Sequence, residues 1–285
     1  MKNMMKKMLC GAAALCLMAS AAVAEFDAGK QIDVISREDG SGTRGAFVEL
    51  TGVEQKIDGK KVDMTTEDAQ ITNNTAVMMT TVAGDTYAIG YISLGSLNDS
   101  VKAVKVAGVE ATAENVKSGA YKVARPFNIA WKEDALSDAG RDFIAYIESS
   151  EGQAIVNANG YVGSDDAAAY EAAGVTGKVV VAGSSSVSPV MEKLAETYMA
   201  VNANVEIEIQ TSDSTTGMTS AMEGACEIGM ASRELKEAEA AELESTAIAM
   251  DGIAVIVNNE NPVEELSLEQ IGAIYTGETT VWNEL

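Results

Sequence analysis

No histidine occurs among the 285 residues. That single absence removes Ser-His-Asp triads, Cys-His pairs and histidine-based metal sites. Cysteine is almost as scarce. Cys10 and Cys16 fall in an apolar leader, which leaves Cys226 alone and no internal disulfide to form. Aromatic residues make up 5% of the chain, and Ala, Gly, Val and Met carry the apolar content. Positive charge is also short: 20 Lys and Arg stand against 43 Asp and Glu, a net charge of −23. A chain of that sign avoids nucleic acid and anionic membrane surfaces. It repels small anions at long range too. An anion site here must work at contact distance, because salt screens distant charges within about 8–10 Å.

Residues 1–24 read as a secretory leader, with Lys2, Lys6 and Lys7 at its start, an apolar run Met8–Met18, and Ala22-Val23-Ala24 as the cleavage pattern. The apolar run is short for a membrane span, and no lipid-anchor cysteine follows it. The expectation is an exported chain, in the periplasm or at the cell surface. The remaining length suits two lobes or one large domain.

Ser36-Arg37-Glu38-Asp39-Gly40-Ser41-Gly42-Thr43-Arg44 is the stretch around which the chain is organised. The apolar run Ile32–Ile35 before it reads as a strand, and Gly45–Leu50 after it as the first turns of a helix. A strand, a Gly-rich turn and a helix N-terminus make an anion site, since the first helical N–H groups lack partners. Ser41 and Thr43 add hydroxyls, and Arg37 and Arg44 add planar forks suited to tetrahedral oxyanions. Asp39 fits an anion that carries a proton. The competing reading is a simple helix cap.

Similar turns recur. Val179–Ala182 is a strand running into Gly183-Ser184-Ser185-Ser186-Val187-Ser188-Pro189, with Pro189 at the first helical position. Asn204–Gln210 alternates as a strand and leads to the hydroxyl-rich turn Thr211–Gly217. Glu227–Ala231 is a short strand ending in Ser232-Arg233. Four such turns, with no catalytic base beside them, point to an oxyanion cleft at the carboxyl ends of strands. Elsewhere, Asn73–Val82 reads as a buried helix, Tyr87–Ser93 and Val101–Val109 as strands, and Tyr121–Trp131 as a strand near a crossing point. Asp138–Asn159 reads as an amphipathic helical region, Ser164–Thr176 as a connector with a helical middle, Gly252–Asn258 as a strand, and Leu266–Ile274 as a helix capped by Ser267.

The segments VISREDGSGTRGAF, YAIGYISLGSL, SSEGQAIVNANGYV, VAGSSSVSPVMEKLAE, EIGMASRELK and MDGIAVIVNNENPVEELSLEQIGAIYTGETTVWNEL resemble the phosphate-binding proteins of phosphate-specific ABC transporters. The resemblance implies an α/β, two-lobed type II periplasmic-binding-protein fold with a ligand cleft between the lobes. Family members usually place the GSSSVSP unit before GSGTR. Here residues 31–163 resemble their second half and 178–285 their first, a circularly permuted order. It implies one lobe from residues 25–120 and 259–285, and a contiguous lobe from 121–258 with a connector at about 164–177.

The site carried over from the family is Arg37, Asp39, Ser41, Gly42, Thr43, Ser185, Ser186, Ser214 and Ser232. Ser232 stands where some members carry an aspartate, which leaves Asp39 as the expected acceptor of the phosphate proton. The roles of Arg44 and Arg233 stay open. The resemblance further implies inorganic phosphate as ligand, an ABC transporter permease as partner, no cofactor or metal, and no enzymatic activity. The connector's length favours a closed monomer, with a dimer that exchanges halves as the alternative. Binding of sulfate or molybdate, and a secreted serine-based phosphoesterase, are the competing functions.

Overall fold

The computed structural model describes residues 26–285, so the leader reading lies outside the described residues. One nine-stranded sheet runs through both halves of the molecule. In spatial order its strands are Val205–Ser212, Gly177–Ser184, Ile228–Ala231, Ala124–Trp131, Glu244–Val257, Ala88–Ser93, Asp33–Arg37 and Gln70–Thr72, with Lys102–Ala103 paired beside Glu244–Val257.

The strand Glu244–Val257 belongs to both halves. Its first part pairs antiparallel with Ala124–Trp131, up to Gly252 opposite Ala124. From Ile253 opposite Ser93 it pairs with Ala88–Ser93 instead. The cores divide at the same place. Phe127, Ile129, Phe143, Val179, Leu194 and Ile248 pack into one core, whereas Phe47, Tyr91, Tyr121, Val123, Ile253, Val255 and Tyr275 pack into another. Tyr121, Val123 and Ile253–Val257, read from the sequence with the contiguous lobe, pack in the cores of the first. A strand keeps its period of two while its packing partners change beneath it, so no local signal marks that change.

Other elements differ in detail. The helical region 138–159 is two helices, Asp138–Glu148 and Ser150–Ala158, broken at Ser149, whose hydroxyl accepts from the Gly152 amide and caps the second. The expected strand 101–109 is two short strands, Lys102–Ala103 and Lys105–Val106. The strand expected at 252–258 begins much earlier, at Glu244.

The connector carries no helix and is docked rather than loose. The Tyr170 hydroxyl donates to Asp142 at 2.7 Å and accepts from Asn202 at 2.8 Å. Its ring stands edge-on to Tyr146 at 5.1 Å, and the Ser150 amide donates to the Ala168 carbonyl at 2.7 Å. The two ends of the described chain also meet. Gln31 forms a bridge with Val281, the Asn283 amide donates to the Ala28 carbonyl at 2.8 Å, and buried Trp282 stacks edge-on to Phe26 at 6.0 Å.

Candidate functional site

The first turn delivers what its composition promised, in part. Gly40 has φ +89°, a left-handed conformation that a side chain would resist. That twist brings its carbonyl to the other lobe, where the Thr215 amide and hydroxyl both donate to it at 3.2 Å. Ser41 caps the helix Gly42–Leu50, its hydroxyl accepting from the Arg44 amide at 3.3 Å. The amides of residues 42 and 43 precede the first helical bond, Gly45 N–H to the Ser41 carbonyl, so the helix itself does not use them.

Across the cleft the hydroxyls converge. Thr43 Oγ1 lies 2.8 Å from Ser186 Oγ and 3.2 Å from Ser232 Oγ. Ser184 donates to Ser232 at 2.9 Å. The Ser232 amide donates to Ser214 Oγ at 3.0 Å. Arg37, only 2% exposed, donates from Nη2 to Ser185 Oγ at 3.1 Å and holds Glu38 through Nε and Nη2 at 2.7 and 2.8 Å. Residues of both lobes thus meet in one buried polar cluster, and the lobes are closed on each other.

The structure brings together eight of the nine expected positions: Arg37, Ser41, Gly42, Thr43, Ser185, Ser186, Ser214 and Ser232. It leaves out Asp39. The Asp39 side chain is fully exposed (101% relative to an extended chain) and lies 3.1 Å from Arg44 Nη1. The tight turn at Gly40 sends it outward while the residues on either side turn in, so the proton-acceptor role expected of it has no geometric support. The open cases also resolve. Arg44 pairs with Asp63 at 2.8 Å and donates to the Arg37 carbonyl at 2.8 Å. Arg233 holds Glu239 bidentately at 2.7 and 2.8 Å and reaches Thr215 at 3.2 Å. Burial alone would raise the Glu239 pKa, but the Arg233 and Lys236 bonds outweigh it and hold it below the ordinary value.

Three site residues escaped the sequence reading. Thr75, the first residue of the helix Thr75–Ala83, lies 3.3 Å from Ser186 and 3.4 Å from Ser185. The cap Asn74 was the available signal. Ser184 sits in the same serine run as Ser185. Arg125 donates from Nη2 to Thr43 Oγ1 at 3.2 Å and from Nε to the Ser232 carbonyl at 3.3 Å, and forms a buried ion pair with Asp251. Burial pushes the Asp251 carboxyl up and the Arg125 guanidinium down, each against the attraction of the other. Arginine's ordinary value is so high that Arg125 stays charged.

Two hinged α/β lobes with buried donors converging between them have the build of a solute-binding protein. A family model for the PBP superfamily domain matches residues 13–151 and 168–285. The "Phosphate-binding protein PstS 2" of Streptococcus agalactiae serotype V is 56% identical over 256 residues, 89% of this chain and 87% of that one. The crystal structure of a phosphate-binding protein of a phosphate ABC transporter from Streptococcus pneumoniae TIGR4 superposes with a TM-score of 0.71 at 45% identity, covering 89% of this chain and 99% of that one. The "Phosphate-binding protein PstS" of Bacillus subtilis matches over a shorter stretch, 32% identical over 125 residues and 43% of this chain. The chain therefore belongs to the PstS family of phosphate-binding proteins within the PBP superfamily.

Proposed function

We propose that this protein captures inorganic phosphate outside the cytoplasm and presents it, lobes closed, to the membrane permease of an ABC transporter. The observation that carries the reading is the convergence of Arg37, Thr43, Thr75, Ser185, Ser186, Ser214 and Ser232 from both lobes in one buried cluster. The names of the family relatives support phosphate as the ligand. Hydroxyls that now bond one another would exchange those contacts for anion oxygens. Each charge-assisted bond is worth about 1.5–3 kcal/mol net. Ser185 has Arg37 and Thr75 beside it rather than a base, which supports binding over ester hydrolysis.

With Asp39 outside, the phosphate proton meets hydroxyls, which accept as readily as they donate. Sulfate and molybdate remain the competing ligands on this account. The permuted order is part of the reading, supported by the pairing of the two ends through Gln31 and Val281. The docked connector supports a monomer over an exchange of halves.

The test is calorimetric titration of residues 25–285 with phosphate, sulfate and molybdate, with light scattering in the same buffer. One phosphate per monomer is expected. Heat with sulfate or molybdate and none with phosphate refutes the ligand, and binding confined to a dimer refutes the monomer.

A further inference from the structure

The chain passes between the lobes at two adjacent places, before Ala124 and after Gly252. Arg125 and Asp251 stand directly opposite each other across that pair of strands. Both are buried, 3% and 0% exposed. Arg125 Nη1 donates to the Asp251 carboxylate and to the carbonyls of Asp251 and Gly252 at 3.2 and 3.1 Å. Its other nitrogens leave the hinge. Nε reaches the Ser232 carbonyl in one lobe, and Nη2 reaches the Thr43 hydroxyl in the other. One planar fork therefore touches the hinge and both walls of the site.

We infer that Arg125 is a positioning residue that couples lobe closure to the donor state of the anion site, acting through Thr43. A guanidinium only donates. A Thr43 oxygen that accepts from Arg125 has its single hydrogen directed away from Arg125, toward one of its other neighbours, Ser186 at 2.8 Å or Ser232 at 3.2 Å. Arg125 thus fixes Thr43 as a donor into the cleft and polarises that hydroxyl further. The contact spans the two lobes, so it exists when they are closed. Asp251 anchors the guanidinium to the hinge and offsets its charge, which leaves no unpaired buried cation there.

This inference rests on the anion-site reading above. Its test is a double-mutant cycle read by titration with phosphate. Arg125→Gln and Thr43→Val are each expected to weaken binding by about ten- to a hundredfold, the worth of one charge-assisted bond. The double variant should be no more than about threefold weaker than the worse single variant. Losses that multiply fully, or an Arg125→Gln protein that binds like the wild type and only melts earlier, overturn the coupling. Asp251→Asn gives a reading that survives a poorly folding Arg125 variant. It keeps the shape but frees the Arg125 charge, so phosphate should bind several-fold tighter while the unliganded protein melts at a lower temperature. An unchanged affinity there reduces the pair to a packing feature. If the wild type takes sulfate and refuses phosphate, the phosphate reading falls and the same cycle is read with sulfate.

Discussion

Gly42 offers a way to block closure without disturbing either lobe. It begins the helix Gly42–Leu50 with an ordinary helical backbone, so alanine fits its own lobe and raises helix propensity slightly. The obstacle is across the cleft. A Cβ on Gly42 would lie 2.8 Å from Ser232 Oγ and 3.0 Å from Arg233 Cγ, and closer still to Ser214 Oγ. Ordinary contacts need about 3.5 Å or more, so the lobes must part by roughly half an ångström to an ångström. Ser214 cannot simply swing aside, because its oxygen accepts from the Ser232 amide. Parting by that amount lengthens the bonds between Thr43 and Ser186, now 2.8 Å, and between Arg37 and Ser185, now 3.1 Å, to the edge of hydrogen-bonding range or past it. Losing two such contacts at about 1.5 kcal/mol each corresponds to roughly a hundredfold in affinity. Gly42→Ala should therefore weaken phosphate binding by about that factor in calorimetry and leave Tm without ligand within a degree or two. Wild-type affinity in this variant would refute the close approach of Gly42 to Ser214 and Ser232 as a condition of binding.

Asp39→Asn should leave both phosphate affinity and the phosphate-to-sulfate ratio within about twofold in competition titrations, since the carboxylate sits in solvent beside Arg44. Tyr170→Phe removes bonds to Asp142 and Asn202. It should cost about 1–2 kcal/mol, read as roughly 2–6 °C in Tm, with phosphate binding unchanged. The Glu239 pKa is held below its unfolded value of about 4.3. The stability from that pair is whole above the unfolded value and is lost as pH falls through the folded one, so Glu239→Gln should melt below the wild type at pH 7 and converge with it in acid. Phosphate affinity should not fall between low and moderate salt, because Arg37 and Arg125 are buried beside their own carboxylates while salt screens the surface acids that repel an anion.

Much of the fold was legible because its signals are local. Residues 204–210 alternate apolar and acidic, and the strand Val205–Ser212 presents Val205 and Ile207 inward. Ser267 and Gln270 spell out a capping box that the structure contains. The serine run after Val181 marks a strand-to-helix turn, and it is one. What was not legible depends on direction or distance. The residue type of Asp39 gives its charge but not the side of a tight turn on which it emerges. Ser149 breaks a helix inside an unbroken apolar spacing, so periodicity runs straight past it. Arg125 reads as one more strand residue until Asp251, its partner in the folded chain, is placed opposite. The lobe boundary passes through continuous strands, where no turn residue marks it.

The strong negative charge and the anion site coexist because they act at different ranges. The acids of this chain lie mostly outside, and salt screens them within about a Debye length. Inside, the acids nearest the cleft are already committed, Glu38 to Arg37 and Asp251 to Arg125. Each pair leaves further guanidinium N–H groups to meet Ser185, Thr43 and the Ser232 carbonyl. The cleft therefore presents oriented donors with little net charge, and its closure buries no unpaired cation. An anion entering it gains hydrogen bonds from hydroxyls and amides whose directions are set by the backbone turns at Gly40, Ser184 and Ser232. Recognition on these terms depends on both lobes being in register. That is why the hinge pair, rather than the surface charge, is the feature most closely tied to the site.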